Sequence, residues 1–236
     1  MIKASIIIPT YNRGKLLCNT LRNLIGQLPT DAEIVVVDQS DEVCSELMEI
    51  AKNHSTQIHY YKIFAKGLPH ARNYGLKLAI GEVIIFCDDN VIPSCNFIEN
   101  HVQGCNMSFR KEALIKAGGF DERFGGSAHL EETDLCLRIR RNEYKIVFDP
   151  KAELIHLKDT KGGCRAENYK QWFYWYGHNN MLFFLKNFSQ YLFPIFIISS
   201  FIRLLLSAGK RYNPMIVIWE TKGYMTGLAN YYKSKN

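Results

Sequence analysis

Apolar runs of strand length alternate with segments of helical composition in the first half of the chain. The apolar runs are rich in β-branched residues and lie at residues 5–8, 33–37, 58–63 and 83–86. The segments between them suit helices over about residues 15–27, 42–53 and 69–80. Alternation at this spacing predicts βαβ units with right-handed crossovers and a mainly parallel sheet.

Three of these apolar runs stop on polar residues. The first leads into Pro9-Thr-Tyr-Asn-Arg13, the second ends at Asp38, and the fourth ends at Asp88-Asp-Asn90. Because a parallel sheet brings the carboxyl ends of its strands to one edge, these groups are predicted to line a ligand site there. The first half of the chain is therefore expected to form a Rossmann-like fold. No G-x-G-x-x-G follows the first run, so the motif for a dinucleotide is missing.

The pattern changes after residue 90. It predicts a strand over 103–110, a short helix over 111–117, a glycine-rich loop over 118–126 and a helix over 130–142. The last helix has acidic residues in its first turn and arginines near its end, which suits the helix dipole. Two short strands are predicted at 145–148 and 152–155.

The last third of the chain is aromatic and apolar. An apolar segment over 191–202 is interrupted by Pro194, Ser199 and Ser200, whereas a spanning helix needs about 20 mostly apolar residues. With basic residues on both sides, the segment favours an in-plane or re-entrant contact with a membrane. The alternative is a helical cap that packs on the first domain or on another subunit of a homo-oligomer. The predicted division is a domain at 1–160 and a helical region at 161–236.

Composition and charge narrow the partners. The 236 residues carry a formal charge of +6, without a dense Lys/Arg run before the last third, so nucleic acid is not an expected partner. A basic bias suits anionic lipid or a diphosphate. The seven cysteines are scattered and odd in number, which is typical of reduced thiols in the cytosol. Met1 leads directly into a strand-like run, so no signal peptide is expected.

Together with Glu131-Glu-Thr-Asp-Leu135, the three strand ends form an ordered set of motifs. In this order, over about residues 4–160, the chain resembles the family 2 inverting glycosyltransferases. The resemblance implies an α/β fold of the GT-A class, with a mainly parallel, Rossmann-like sheet flanked by helices. The composition of the last third adds the C-terminal helical appendage at the membrane. It also implies transfer of a sugar from a UDP- or dTDP-type donor to a surface glycan or lipid-linked acceptor, at the cytoplasmic face of the membrane.

The resemblance assigns residues to the nucleoside-diphosphate sugar. The donor-binding set that it implies is Pro9, Thr10, Tyr11, Arg13, Asp38, Arg72, Asp88 and Asp89. Arg72 lies in an Ala-Arg-Asn segment, where a guanidinium can bridge phosphate or a carboxylate. Two alternatives remain open: Asp38 caps the following helix, and Arg72 pairs with Asp88 only to stabilise the fold.

The resemblance also implies a divalent cation. Asp88-Asp-Asn90 stands in the place of the family's Asp-x-Asp motif, and His156 matches a histidine that completes the metal shell. Mg²⁺ or Mn²⁺ prefers such hard ligands and stabilises a departing diphosphate. Asn90 brings no charge, so weaker metal binding is expected, and Asp89 is a substitute if the turn rotates. The alternatives are an ordinary polar loop and a structural histidine.

Glu132 matches the family's catalytic base, where aspartate is usual. It would accept the proton of the acceptor hydroxyl during in-line attack, with Glu131 and Asp134 as supporting residues. The alternative is that these acids only stabilise the first turn of a helix.

One departure from the family affects the acceptor side. Residues 91–103 form a much shorter link than the family generally carries between its metal motif and the Gly-Cys-Asn-Met segment. With the neutral Asn90, this favours a rival hypothesis, a non-catalytic protein that binds nucleotide sugars or acts as a scaffold. A nucleotidyltransferase is disfavoured because no glycine-rich phosphate loop with a lysine follows the first strand.

Overall fold

The computed structural model describes residues 3–93, 107–147, 154–157, 163, 166, 168–211 and 213–233. The chain folds into two compact units, residues 1–120 with 138–163 and residues 121–137 with 164–236. The second unit thus includes a segment from the middle of the chain. The domain boundary at residue 160 stays a prediction.

A five-stranded sheet forms the centre of the first unit. Its strands are β1 Ala4–Thr10, β2 Ala32–Asp38, β3 Ile58–Lys62, β4 Val83–Phe86 and β6 Ser108–Arg110. Their order is β3-β2-β1-β4-β6, parallel except for β6, which runs antiparallel to β4. A separate antiparallel pair joins β5 Val91–Pro93 to β7 Leu154–His156. The predicted mainly parallel sheet is confirmed.

Helices of the first unit cover the central strands. They are α1 Gly14–Ile25, α2 Ser45–Asn53, α3 Leu68–Leu78 and α4 Lys111–Lys116. Every residue of β1 and β2 is buried, as expected of parallel strands between layers of helices. The helix α3 approaches β1 so closely that a Cβ at Gly75 would overlap Ile7 Cγ2. Glycine at residue 75 therefore sets the distance between this helix and the sheet.

The chain after β4 departs from one predicted element. Residues 144–147 lie outside any helix or strand, and Ile146 and Val147 are exposed, so the strand at 145–148 is wrong for its described residues. An isolated apolar run does not form a strand without a ladder partner, and β5 pairs with β7 instead. The shortened link over 91–103 falls mostly on residues 94–106, which lie outside the described residues.

The second unit is helical. Its elements are the first turns of α5 Glu131–Arg141, then α6 Tyr169–Asn187, α7 Phe193–Lys210 and α8 Met215–Lys233. The axes of α6 and α8 approach closely because glycines face opposing carbonyl groups. A Cβ would overlap Glu220 O at Gly177 and Tyr174 O at Gly223, and it would lie 2.5 Å from His178 O at Gly227. Each of these contacts requires glycine.

The predicted interruption of the apolar segment at Pro194 is wrong. The helix α7 is continuous over 18 residues, because Pro194 lies in its first turn, where no intrahelical N–H bond is lost. Ser199 donates to the carbonyl of Phe196 inside the helix. Gln190–Lys210 is long and apolar enough to cross a membrane, and Leu204 is the only buried residue of α7 in the part of the chain that the structure describes. The helix thus exposes a large apolar surface within its own unit.

Candidate functional site

The carboxyl edge of the sheet has a switch point at β1. The chain places β2 and β3 on one side of β1 and then returns to place β4 on the other. In such sheets the loops that leave the two strands at the switch point diverge and leave a crevice, where ligands bind. The two loops here begin after Thr10 and after Phe86. They carry two of the predicted motifs.

A buried ion pair joins these two loops. Asp89 accepts a hydrogen bond from Thr10 Oγ1 at 2.8 Å and pairs with Arg13 Nη1 at 3.2 Å. The side chains of Arg13 and Asp89 are 9% and 6% exposed. Burial raises the pKa of the Asp89 carboxyl, and the contacts from Thr10 and Arg13 act in the opposite direction. Thr10, Arg13 and Asp89 therefore bind one another and position the loops, while their direct contact with a donor stays a prediction.

The neighbouring residues of the motif face different surroundings. Asp88 is exposed, whereas Asn90 is 1% exposed. Asn90 Nδ2 donates to Leu157 O at 2.5 Å, and Leu157 N donates to Asn90 O at 2.8 Å. Among the described residues, Asn90 Oδ1 is buried without a hydrogen-bond partner. A buried acceptor without a donor is costly, so this oxygen is suited to a cation or a donor group from a ligand.

Thr20 fixes this turn from the helix α1. Its Oγ1 lies 3.0 Å from the carbonyl oxygens of both Asp89 and Val91 and accepts a bond from Val91 N at 3.2 Å. The register of the small sheet places His156 opposite Val91 on the adjacent strand. The sequence analysis missed Thr20. The available signal was a polar residue in phase with the buried Leu17, Leu21 and Leu24 of α1.

Asp38 is held at the end of β2. Its Oδ1 accepts from Ser40 N and its Oδ2 from Tyr60 OH, both at 2.7 Å, and Lys62 Nζ lies 3.5 Å away. Asp38 makes no cap on α2, whose N-cap is Cys44, so the capping alternative is wrong. A carboxylate has about four acceptor positions, so two hydrogen bonds do not saturate it. Donor binding by Asp38 stays a prediction.

A second group that the sequence analysis missed links the loops after β1, β2 and β3. Asn12 has a left-handed conformation with φ 55°. Its Nδ2 donates to Asp41 Oδ2, and the backbone N–H of Asp41 donates to Asn12 Oδ1, both at 3.0 Å. Lys66 donates to Asp41 Oδ1 at 2.6 Å and to Tyr11 OH at 3.0 Å, and its Nζ lies 4.6 Å from the Tyr11 ring centroid. This group places the Lys66 ammonium and the Tyr11 ring at the edge of the sheet, directly after β1. Asn12 was available from the sequence as a turn residue.

Arg72 lies inside the first unit. It is 3% exposed, and its guanidinium lies 5.8 Å from the ring centroid of Phe86 and 5.1 Å from that of Phe120. Two aromatic faces favour a cation at this position. Its contact with a diphosphate, and its pairing with Asp88, stay predictions.

The acidic turn that begins α5 belongs to the second unit. Glu132 is exposed and Glu131 is buried. Asp134 is fully buried, pairs with Lys186 Nζ at 2.8 Å and accepts from Asn187 Nδ2 at 2.9 Å. Lys186 also bonds Asp121. These contacts with α6 fix the first turn of α5, so Glu132 projects to solvent from an anchored helix.

Comparisons with known proteins agree with these motifs. Residues 5–116 match the model of glycosyl transferase family 2. A GalNAc(5)-diNAcBac-PP-undecaprenol beta-1,3-glucosyltransferase of Campylobacter jejuni is 28% identical over 143 residues, which are 57% of this chain and 46% of that protein. The chain covers between 14% and 46% of the lengths of the curated relatives.

Two solved structures share the fold. The mannosyltransferase PcManGT from Pyrobaculum calidifontis, in complex with GDP-Man and Mn²⁺, has a TM-score of 0.63 at 18% identity and covers 99% of this chain and 88% of its own. S. aureus TarS 1-349, in complex with UDP-GlcNAc, has a TM-score of 0.59 at 20% identity and covers 78% of this chain and 66% of its own. The GT-A fold is confirmed, and residues 5–116 are similar to glycosyl transferase family 2.

The Asp121 carboxyl provides a pH test of the second unit. Burial alone would raise its pKa, but hydrogen bonds from Arg123 and Lys186 outweigh burial and hold the pKa well below its ordinary value. The folded state therefore binds this proton only at lower pH than the unfolded chain does. The stabilisation is present above the unfolded pKa of about 4 and is lost as the pH falls through and below it.

We therefore expect the urea midpoint of the wild type to fall more steeply between about pH 5 and about pH 3 than that of Asp121→Asn. All three tryptophans lie in the second unit, so their fluorescence reports its unfolding. Glu112→Gln, at a side chain that is 64% exposed, serves as the control and should follow the wild type. Equal pH slopes for the wild type and Asp121→Asn would contradict the assignment.

Proposed function

We propose that this protein transfers a sugar, with inversion, from a UDP- or dTDP-type nucleoside-diphosphate sugar to a surface glycan or lipid-linked acceptor. The observation that carries the proposal is the buried Asn90 oxygen without a partner among the described residues, next to the exposed Asp88, at the switch point of the sheet. The family match over residues 5–116 supports the reaction class. The similarity to a glucosyltransferase of undecaprenol-linked substrates supports a lipid-linked acceptor.

The donor set at this edge fits Mg²⁺ or Mn²⁺. Asp88 and Asn90 offer the hard oxygen ligands that these ions prefer, and His156 would complete the set from β7. When bound, the cation would neutralise charge on the departing diphosphate. Lys66 and Arg13 would add positive charge at the same edge, and Tyr11 and Asp38 would contact the nucleoside.

The proton of the acceptor is assigned to Glu132. As the acceptor hydroxyl attacks the anomeric carbon from the side opposite the diphosphate, a Glu132 carboxylate oxygen takes the hydroxyl proton, and the diphosphate leaves with the electrons of the broken bond. Attack from the opposite face gives inversion. Asp134 and Glu131 support the turn from which Glu132 projects.

Substitutions at the motif test donor and metal binding. We expect Asn90→Asp to lower the Mn²⁺ dissociation constant by about tenfold, because ligand charge tunes the affinity of oxygen sites. A nucleotide sugar at about 100 times its dissociation constant should raise the free energy of unfolding by about 2.7 kcal/mol. Asp88→Ala should abolish the thermal shift that reports this stabilisation. Glu112→Gln should leave both values unchanged. An unaltered shift in Asp88→Ala would remove Asp88 from the donor site.

Glu132→Gln separates binding from turnover. The amide cannot take the proton, so we expect kcat to fall by about 10²- to 10⁴-fold, while the donor-induced thermal shift stays that of the wild type. The assay measures release of nucleoside diphosphate from a panel of nucleotide sugars with Mn²⁺ and lipid-linked acceptors. Equal turnover in Glu132→Gln would exclude this base. Donor binding by the wild type without any transfer would favour the non-catalytic alternative.

We also propose that α7 rests on the cytoplasmic surface of the membrane. Its outward side chains are large and apolar, namely Ile195, Ile198, Phe201, Ile202, Leu205 and Leu206. Arg203 bonds Glu220 and Tyr224 on α8, which orients the opposite face of α7 away from its unit. Exposed Lys210 and Arg211 at the end of the helix suit anionic headgroups.

Flotation with liposomes tests this surface. We expect the wild type to float with vesicles that contain anionic lipid, and Phe201→Glu with Leu205→Glu to stay in the lipid-free fraction, because two charges oppose burial of the helix. Phe64→Glu provides a matched control, since Phe64 is 90% exposed on the first unit. Flotation of the double variant equal to the wild type, or its loss in Phe64→Glu, would contradict the assignment.

A further inference from the structure

Two cysteines and a glutamate meet on the first unit between α1 and α2. Cys18 lies on the buried face of α1, Cys44 is the N-cap residue of α2, and Glu46 lies in the first turn of α2. The ligand atoms of the three side chains, two Sγ and one carboxylate oxygen, all lie within 4.8 Å of one another. All three residues are described, and the two thiols are not in a disulfide.

We propose that Cys18, Cys44 and Glu46 bind one Zn²⁺ ion, at a site separate from the cation site at the sheet edge. Thiolates select zinc over Mg²⁺ and Mn²⁺, which prefer oxygen ligands. Three protein ligands with a water in the fourth position form a common tetrahedral arrangement of zinc. The ligands of the two sites therefore select different ions, Zn²⁺ at the thiolates and Mg²⁺ or Mn²⁺ at the sheet edge.

The charges around the site balance. Two thiolates and a carboxylate carry three negative charges, of which Zn²⁺ cancels two. Arg22 donates a hydrogen bond to Glu46 Oε1 and supplies the remaining positive charge. Ligating carboxylates are usually held by such a hydrogen bond from a neighbouring group, which orients the ligand. Arg22 thus fills that role here.

Gly14 provides the space through which Cys44 reaches Cys18. A Cβ at residue 14 would overlap Cys44 Cβ and would lie 3.1 Å from Cys44 Sγ, so any side chain there would displace the thiol. This observation is independent of the ligand set. The first turn of α1 is therefore shaped around Cys44.

The site has a consequence for the sheet edge. The loop that leaves β2 carries Ser40 and Asp41, which bond Asn12 at the edge, and the same loop ends at Cys44. No side chain caps α2, so the metal would fix the far end of the loop. We expect bound Zn²⁺ to raise the thermal midpoint of the protein through this attachment.

Cobalt titration of the reduced, metal-free full chain tests the proposal. Co²⁺ should bind with one equivalent and give a thiolate-to-cobalt charge-transfer band, and Zn²⁺ should displace it because zinc binds such sites more tightly. Cys44→Ser and Cys18→Ser should each lose the band. Since Cys18 is fully buried, circular dichroism checks its folding, and the half-buried Cys44 decides the outcome if the Cys18 variant unfolds.

Control variants separate this site from other thiols. Cys136→Ser should keep the band, Glu46→Gln should keep it with about tenfold weaker binding, and Gly14→Ala should weaken binding because it displaces Cys44. A roughly tenfold excess of Mg²⁺ over Co²⁺ should not change the titration, because Mg²⁺ prefers oxygen ligands to thiolates. The proposal is overturned if the wild type shows no band, if the band survives in Cys44→Ser, or if Cys136→Ser removes it.

Discussion

The buried pair of Arg13 and Asp89 is the constraint on which the rest of the sheet edge depends. It joins the loop after β1 to the loop after β4 across the switch point, with Thr10 as a third partner. Separating such a pair leaves a buried charge without compensation, at a cost of about 3–5 kcal/mol. This pair also fixes the turn at residues 88–90. Asp89 is buried, whereas Asp88 on one side of it is exposed. Asn90, on the other side, meets Leu157.

The same arrangement explains why one motif serves two purposes. Consecutive residues in a turn cannot all face the same way, so the three polar residues divide between structure and ligand. Asp89 has a structural role, because its carboxylate binds Thr10 and Arg13. Thr20 bonds the main chain on either side of Asn90. The Asn90 amide donates one hydrogen bond to Leu157 O through Nδ2, whereas its Oδ1 has no partner among the described residues. In the proposed function this oxygen, with the carboxylate of Asp88, forms the cation-binding edge.

The sequence predicted the sheet well because its strands are buried on both faces. Val35 and Val36 read as an uninterrupted apolar run, and Asp38 marks where it ends. The orientation of Asp89 could not be read in this way, since Arg13 lies 76 residues away and nothing local distinguishes Asp89 from Asp88. Asp134 and Lys186 illustrate the same limit at a separation of 52 residues. Pro194 was misread because its effect depends on the turn of the helix that it occupies.

The glycine contacts between α6 and α8 determine how the second unit can deform. Where main chains touch at Gly177, Gly223 and Gly227, no rotamers lie between the helices that could rearrange to let one slide past the other. Close backbone contacts of this kind also permit weak Cα–H···O bonds. The two helices are therefore expected to move as one rigid pair when the second unit deforms.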